Sequence, residues 1–224
     1  MDVSRVPKLE KNRAMNEVNV LQSLRHPNII AFHEAYIAQG QLNIIMQYAS
    51  GGDLAAQIKT AQQKRTSISG ALITRWTTQA LLALQYLHRL HILHRDLKPA
   101  NMFLSAKGDL QLGDFGISKV MESTCAQART SIGTPYYLAP EVCQSKPYSW
   151  TADIWSLGAV LFELIALRPP FNANSMRELF QKIVYGRMPG IPQVHGDPER
   201  SCNKIIRKIS FHKHFISICS PCRQ

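Results

Sequence analysis

The chain has 224 residues, a formal net charge of +11, 45% hydrophobic residues and 18% charged residues. These fractions are typical of a soluble globular protein, and the length allows one large domain or two small lobes. The positive charge suggests nucleic acid or anionic lipid as a partner, but the sequence has no Arg-rich run, zinc-finger spacing or RNA-binding motif. We therefore expect no nucleic-acid partner.

The sequence shows no sign of secretion or of a membrane span. The number of cysteines is odd and the first residues contain no apolar signal segment, so we expect reduced thiols and a cytoplasmic protein. The longest apolar run, from Ile154 to Leu167, contains Glu163 and is too short to cross a bilayer. We therefore expect no membrane partner.

The first part of the chain predicts a helix followed by a hairpin. Apolar residues at residues 5–25 recur at helical spacing and predict an amphipathic helix. Two strands, Asn28–Tyr36 and Gln41–Tyr48, are separated by a turn sequence and predict a hairpin. A short helix is expected to open at Gly51–Leu54, whereas the polar segment Lys59–Ser69 predicts a loop.

The middle of the chain returns to helical spacing from Leu72 to about Leu90. Two short strands, Met102–Leu104 and Leu110–Leu112, predict a second hairpin. Residues 117–140 have weak periodicity and many hydroxyl groups, which is typical of a mobile loop.

Two helices are predicted after this loop. Thr151 is expected to cap a helix that ends at Leu167, and another helix is expected from about Ser175 to Tyr185. The predicted buried face of the first helix is Ile154, Leu157, Leu161, Leu164 and Ile165.

The polar stretch from His94 to Asn101 carries the strongest chemical signal. Phosphoryl transfer to a hydroxyl needs a carboxylate that orients the hydroxyl, a cation near the γ-phosphate and ligands for Mg²⁺. Asp96 suits the first role and Lys98 the second. Asn101 and Asp114 suit the third, because Mg²⁺ prefers hard oxygen ligands. The alternative is a polar turn between two strands that has no chemical role.

These residues, in this order, resemble a eukaryotic protein kinase. Ala139–Pro140–Glu141 and the sequence from Asp153 to Gly158 follow in the order that the family has. Lys98 after Asp96 is the form found in serine/threonine kinases. The sequences from Gly51 to Leu54 and from Gly133 to Tyr137 resemble the NIMA-related kinases most.

The resemblance implies an α+β, protein-kinase-like two-lobe fold with a truncated small lobe and a mainly α-helical large lobe. Residues 1–48 would form a partial small lobe, residues 49–208 the hinge and large lobe, and residues 209–224 a divergent, poorly ordered tail. The implied activity is transfer of the γ-phosphate of ATP to protein serine or threonine, with ATP and Mg²⁺ as cofactors. An activating kinase or autophosphorylation, and a cytoskeletal, centrosomal or ciliary association, are also implied.

The resemblance assigns roles to residues that would contact the nucleotide. Met46 is the implied gatekeeper, and Gln47 and Ala49 belong to the hinge that hydrogen-bonds adenine. Asp53 is expected to reach the ribose, and Phe103 to pack under the adenine ring. For Phe103, plain core packing is an equally good interpretation.

Other roles follow from the same resemblance. Leu21, Phe32, His94 and Phe115 are expected to stack as a hydrophobic spine between the lobes. Asp153 is expected to accept backbone N–H groups of the loop that carries Asp96, or simply to interact favourably with the start of its own helix.

Switching is expected to depend on the loop at residues 117–134. Arg95 is predicted to be a buried cation that lacks an anion, which phosphorylation of the loop would supply. Thr130 is the first candidate for this modification and Ser131 the second, with an exposed loop hydroxyl as the alternative. Thr134 is expected to bridge the carboxylate and the cation of the polar stretch.

The chain departs from the family pattern at both ends. The glycine-rich loop and the strand lysine that would pair with Glu17 are absent, and no arginine partner for Glu141 is recognisable. We therefore expect a chain that is incomplete at both ends, with a poorly stable small lobe. The alternative function is a catalytically impaired pseudokinase or interaction fragment. A zinc site at Cys219 and Cys222 is not favoured, because only one such pair is present.

Overall fold

The computed structural model of the chain describes residues 18–114, 135–187 and 189–190. Residues 18–23 are helical and form the described part of helix α1. Val18, Leu21 and Leu24 are all buried, so the predicted apolar face of this helix is confirmed over the described residues.

Strands β1 (Phe32–Ala38) and β2 (Gln41–Met46) form the predicted antiparallel hairpin. Gln39 and Gly40 connect them with φ angles of 50° and 72°. Two successive positive φ angles match the twist of a two-residue hairpin turn, which is why glycine suits this place. The first strand begins later than predicted, because the preceding residues pair elsewhere.

The remaining elements are helix α2 (Leu54–Lys64), helix α3 (Gly70–Arg89), a 3₁₀ turn (Pro99–Asn101), strands β3 (Met102–Leu104) and β4 (Leu110–Leu112), and helices α4 (Pro140–Cys143), α5 (Trp150–Ala166) and α6 (Met176–Tyr185). Strands β3 and β4 form the second predicted hairpin. Residues 115–134 lie outside the described residues, and they include most of the mobile loop that is predicted at residues 117–140.

Helix α2 extends into the segment predicted to be a loop. Leu54, Ile58 and Ala61 are buried at spacings of four and three residues, so one apolar face holds the helix to the core. The polar residues after them lie on the solvent side. The helix ends at Arg65, which has a φ of 51° and donates its N–H to the carbonyls of Ala61 and Gln62.

Helix α5 begins earlier than predicted. Ser149 occupies the N-cap position and Trp150 is the first helical residue, so the prediction that Thr151 caps the helix is wrong. The Thr151 hydroxyl instead contacts the Ser149 hydroxyl and donates to Glu141. The predicted buried residues are confirmed except for Ile165, which is only partly buried.

One apolar cluster joins the first part of the chain to the helical part. It includes Leu21 and Phe32 from the first part, Leu87 from α3, Leu112 from β4 and Leu161 from α5. The described residues therefore have α+β structure with two small sheets and a mainly helical larger part, as predicted. No helix within the described ranges has the length and apolar composition needed to cross a bilayer.

The β3–β4 hairpin is fixed to helix α3 by polar side chains. Gln79 accepts the backbone N–H of Leu110 at 2.8 Å, and the indole N–H of Trp76 donates to the carbonyl of Gly108 at 3.0 Å. Asn101 precedes β3 and Gly113 follows β4, so both lie at the open end of this antiparallel hairpin. Helix α3 therefore holds the hairpin near its turn, and the hairpin in turn brings Asn101 and Gly113 together.

Candidate active site

The loop that follows α3 is held by one buried carboxylate. Asp153, in the first turn of α5, is 0% exposed and accepts the backbone N–H groups of His94 and Arg95, both at 3.0 Å. His88 Nε2 and the hydroxyl of Tyr148 also lie within hydrogen-bond distance of it, each at 2.8 Å. The prediction that Asp153 accepts backbone N–H groups of this loop is confirmed.

The environment of Asp153 keeps it ionised. Burial alone would raise the pKa of this carboxyl, but the hydrogen bond from His88 and the two backbone N–H groups together lower the pKa below its ordinary value. The opposite holds for His94, whose complete burial lowers the pKa of its ring despite the nearby carboxylates. A charged Asp153 and a neutral His94 therefore support the loop.

Asp96, Lys98 and Asn101 are in direct contact. Lys98 Nζ donates to Asp96 Oδ2 at 2.8 Å, and Asn101 Nδ2 donates to the same oxygen at 3.0 Å and to the Asp96 carbonyl at 2.9 Å. The Asp96 side chain is 19% exposed and that of Lys98 39% exposed. The carboxylate is thus fixed on one side by protein groups while the cluster stays accessible from solvent.

The β3–β4 hairpin brings Asn101 close to the residue before Asp114. Met102 pairs with Leu112, and the N–H of Gly113 donates to the Asn101 carbonyl at 3.1 Å. A Cβ atom on Gly113 would lie 2.9 Å from atoms of Ile30 and Phe103, so this close packing requires glycine. Asp114 follows with an exposed side chain and a φ of 51°.

The donor set at this hairpin fits Mg²⁺. Phosphoryl-transfer enzymes hold Mg²⁺ by one or two protein oxygens together with substrate phosphates. The Asn101 amide donates through its nitrogen, which leaves its oxygen as a possible metal ligand, and Asp114 adds a carboxylate after the same hairpin. Within the described residues, no group of three or more His, Cys, Asp or Glu side chains could hold a metal ion by protein ligands alone.

The first part of the chain pairs with the strand that leads to Asp114. The N–H of Ile30 donates to the Leu112 carbonyl, and the N–H of Leu112 donates to the Asn28 carbonyl, both at 2.8 Å. The Asn28 side chain adds a 2.8 Å bond to the Leu110 carbonyl. This pairing explains why β1 begins later than predicted.

The structure brings together two of the residues that are predicted to bind the nucleotide. Asp53 and Phe103 face each other in a β-bridge. Gln47 is partly buried and exchanges side-chain hydrogen bonds with Gln111 at 3.2 and 3.4 Å. Met46, the last residue of β2, is 39% exposed, and the side chain of Ala49 is partly buried.

Asp53 also has a role that the sequence did not predict. Its Oδ1 accepts the backbone N–H of Ala56 at 2.7 Å and caps helix α2. This bond satisfies one of the free N–H groups at the start of the helix. Any contact of Asp53 with a ribose would come from a side chain that is already held in place.

Several predicted site residues cannot be compared with the structure. Glu17, Thr130, Ser131 and Thr134 lie outside the described residues. The same holds for Phe115 of the predicted spine, whereas Leu21, Phe32 and His94 are buried, and their stacking stays a prediction. The predicted tail at residues 209–224 also lies outside.

The prediction that Arg95 is a buried cation is wrong. Its side chain is exposed, and its backbone adopts a φ of 67° while donating its N–H to Asp153. The backbone of Arg95 is therefore held by a buried carboxylate, whereas its charged group is exposed. Positive φ angles at non-glycine residues occur often at functional sites, and here Arg95 and Asp114 both have one.

The contacts by which His88 and Tyr148 support the loop that carries Asp96 were not predicted from the sequence. Each places a polar atom 2.8 Å from a buried carboxylate oxygen of Asp153. His88 could have been found from its position, because this polar residue directly follows the apolar Leu87 near the end of an amphipathic helix. Tyr148 carries no such signal, because only the fold brings its hydroxyl to Asp153.

A second contact ties the segment before α4 to helix α5. The hydroxyl of Tyr137 donates to Glu163 Oε2 at 2.6 Å, and Ser156 Oγ donates to the Tyr137 carbonyl at 2.7 Å. Burial raises the pKa of Glu163, against the hydrogen bond from Tyr137, which lowers it. Helix α5 thus supports this segment as well as the loop with Asp96.

Comparisons with known proteins agree with this arrangement. The sequence matches the family model described as a protein kinase domain over residues 1–222, which extends past the end of the motif-based resemblance. It is 44% identical over 191 residues to serine/threonine-protein kinase Nek1 of Mus musculus, a match that covers 85% of this chain and 16% of Nek1.

Two human relatives give similar matches. Serine/threonine-protein kinase Nek5 of Homo sapiens is 45% identical over 184 residues, covering 82% of this chain and 26% of Nek5. Serine/threonine-protein kinase Nek2 of Homo sapiens is 40% identical over 216 residues, covering 93% of this chain and 48% of Nek2. The chain spans less than half the length of each of these relatives.

Proposed function

Since this chain belongs to the protein kinase family and is similar to Nek serine/threonine-protein kinases, we propose that it transfers the γ-phosphate of ATP to serine or threonine of protein substrates. The observation that carries this proposal is the contact of Lys98 and Asn101 with one oxygen of Asp96. A carboxylate fixed in this way, next to a cation, is what hydroxyl phosphorylation needs.

Asp96 acts on the protein substrate in this mechanism. Its carboxylate accepts a hydrogen bond from the attacking hydroxyl and orients the hydroxyl oxygen toward the γ-phosphorus. Because Lys98 and Asn101 hold the carboxylate, little reorganisation is needed when the substrate binds. The proton of the hydroxyl passes to Asp96 as the new P–O bond forms, while the bond between the γ-phosphorus and the bridging oxygen breaks and ADP leaves.

Lys98 stabilises charge near the transferred group. Its ammonium donates to Asp96, and its side chain is 39% exposed, so it can also contact a phosphate of a bound nucleotide. A cation in this place offsets the negative charge of the phosphoryl oxygens. Asn101 and Asp114 are the residues that would hold Mg²⁺, which neutralises phosphate charge when bound.

The nucleotide contacts follow from the family and from the hairpin. Protein kinases in general use ATP with Mg²⁺. We propose that adenine binds near Met46, Gln47 and Ala49, with Phe103 below the ring and Asp53 near the ribose. The β-bridge between Asp53 and Phe103 supports a common site for the ring and the sugar.

The phosphorylation sites that would regulate the chain and its location in the cell stay predictions. Thr130 and Ser131 are the predicted phosphorylation sites, acted on by another kinase or by autophosphorylation, with Arg95 as the predicted partner of the phosphate. Thr134 is the predicted bridge within the site and Glu17 the predicted partner of a lysine. A cytoplasmic location with cytoskeletal, centrosomal or ciliary association rests on the family resemblance alone.

Nucleotide binding and transfer can be measured separately. We expect MgATP to raise the melting temperature of the full chain, and [γ-³²P]ATP to label serine or threonine of added protein substrates. Asp114→Ala should weaken both effects, because it removes a proposed Mg²⁺ ligand. A chain that is stabilised by MgATP but transfers no label would favour the pseudokinase alternative, and one that does neither would contradict the proposed function.

A further inference from the structure

Helix α6 has two apolar faces, and the described residues fully bury only one of them. Leu179 and Ile183 are 1% and 2% exposed and pack with Phe171 in a small core of their own. Met176, Phe180 and Val184 recur at spacings of four residues, so they share a second face of the same helix. A surface helix of a folded domain needs only one apolar face, so the second face needs another explanation.

The second face forms one wall of a groove. The groove has a volume of about 600 Å³, and its other wall is the end of helix α4. Its lining residues are Cys143, Gln144, Met176, Arg177, Phe180, Gln181, Val184 and Tyr185. This volume lies within the roughly 300–1,000 Å³ range of sites that bind ligands.

The groove is separate from the candidate active site. None of its lining residues belongs to the cluster around Asp96 or to the predicted nucleotide contacts. Met176 and Tyr185 at its two ends are 39% and 80% exposed. Large exposed apolar side chains that adjoin a concave surface are typical of protein interaction sites.

The charge in the groove has one sign. Among the described residues that line it, Arg177 is the single charged one. The neighbouring carboxylate of Glu178 is already bound, because Lys182 Nζ lies 2.8 Å from its Oε1 and the N–H of Asn174 donates to its Oε2 at 3.3 Å. Arg177 can therefore pair with a carboxylate of an occupant.

The wall formed by α4 adds apolar surface without charge. Burial raises the pKa of the Cys143 thiol to about 11, so the group is an uncharged thiol at neutral pH. Gln144 adds an amide that can donate or accept. The groove therefore combines an apolar floor, neutral polar groups and one guanidinium.

We propose that this groove binds a segment of a protein partner that carries two or three apolar side chains next to an aspartate or glutamate. The apolar side chains would pack on Met176, Phe180 and Val184. The carboxylate would pair with Arg177, whose planar group can donate two hydrogen bonds to it. Binding needs no phosphoryl transfer, so a test of it is independent of the proposed function.

A peptide library tests this site without a known partner. Random 12-residue peptides displayed on phage are selected on the full chain, and the enriched peptides are synthesised and titrated by fluorescence polarisation. We expect the enriched sequences to share spaced apolar residues with an adjacent acid. Their Kd should rise at least tenfold in Arg177→Glu and in Val184→Asp.

The control is Lys107→Glu, which makes the same change of charge at an exposed lysine that does not line the groove. It should leave the Kd within twofold, which separates pairing in the groove from a general effect of net charge. Arg177 is exposed, so Arg177→Glu should keep the melting temperature of the wild type even if Val184→Asp lowers it.

Three results would overturn the proposal. In the first, the selected peptides bind Arg177→Glu as tightly as the wild type. In the second, the selected peptides are basic. In the third, the selection yields no peptide whose binding is weakened by Val184→Asp. A concentration-dependent dimer in sedimentation that is lost in Val184→Asp would assign the groove to a second copy of the chain instead.

Discussion

Asp153 Oδ1 accepts a 3.0 Å hydrogen bond from the backbone N–H of Arg95, which fixes the loop that carries Asp96 to the first turn of helix α5. The same carboxylate accepts the N–H of His94 through its other oxygen. The position of the proposed catalytic carboxylate therefore depends on a buried group that contacts no substrate.

Removing this carboxylate should destabilise the chain strongly. Asp153→Ala leaves two backbone N–H groups and the side chains of His88 and Tyr148 without their acceptor, and we expect a loss of about 3 kcal/mol or more in the free energy of unfolding. Tyr148→Phe removes one of these bonds and should cost about 1 kcal/mol. Urea unfolding followed by tryptophan fluorescence measures both values, and equal values would contradict the dominant role of Asp153.

Gly113 should tolerate no side chain. A Cβ atom there would lie 2.9 Å from Ile30 and Phe103, so Gly113→Ala should destabilise the chain by about 1–3 kcal/mol through overpacking. It should also weaken MgATP binding, because Asp114 follows directly. Gly190→Ala is the matched control, since no atom of the described residues beyond its chain neighbours lies within 4 Å of its Cβ position. Similar melting temperatures of the two variants would disprove the close packing.

Stability should fall as the pH decreases through the range where histidine titrates. Burial lowers the pKa of His94 below 6.5, its ordinary value, so the unfolded chain binds more protons below that pH. The free energy of unfolding is then largest above about pH 6.5 and decreases below it by up to about 1.4 kcal/mol per pH unit for one proton. Burial lowers the pKa of His26 too, which adds to this effect.

Variants assign this pH dependence to His94. His94→Phe keeps an aromatic ring but cannot bind a proton. The free energy of unfolding, measured from pH 5.5 to pH 7.5, about one unit on each side of the ordinary histidine pKa, should therefore have a smaller slope against pH in this variant. His33→Phe changes an exposed histidine of β1 and should leave the slope in place. An unchanged slope in His94→Phe would exclude His94 as the source.

Asp53 can be tested for its two roles separately. Asp53→Ala removes the cap of α2 and should cost about 1 kcal/mol of stability, whereas Asp53→Ser keeps a capping oxygen and should cost little. Both variants lose the carboxylate predicted to reach the ribose, so both should raise the Kd of ATP by about tenfold. Isothermal titration calorimetry measures the Kd. If only the Ala variant bound ATP more weakly, Asp53 would act through the helix and not through the ribose.

The sequence predicts the contacts that lie within one short segment. Asp96, Lys98 and Asn101 are close along the chain, and a single turn is enough to bring them together. The β3–β4 hairpin was predictable for the same reason, because its strands are adjacent in sequence. Asp153 was predictable from the family order, although its partners in the loop lie far away along the chain.

Contacts that depend on packing were not predictable. His88 reaches Asp153 only because α3 packs on α5, and the β-bridge of Ile29 with Leu112 joins segments that no local pattern connects. The positive φ of Arg95 is not indicated by its residue type. Helix α2 was predicted too short, because the polar residues up to Lys64 suggested a loop although they are good helix formers on an exposed face.

The rate of phosphate transfer by Asp96→Asn tests the proposed role of the site most directly. The variant keeps the shape of the side chain and can still contact Lys98 and Asn101, but it cannot accept the proton of the substrate hydroxyl. We expect transfer from [γ-³²P]ATP to fall by about 10²–10⁴-fold, while the MgATP-induced rise in melting temperature is kept. Glu34→Gln, the same change at an exposed carboxylate of β1, should leave the rate unchanged. Equal rates for Asp96→Asn and the wild type would contradict the assignment of Asp96 as the catalytic carboxylate.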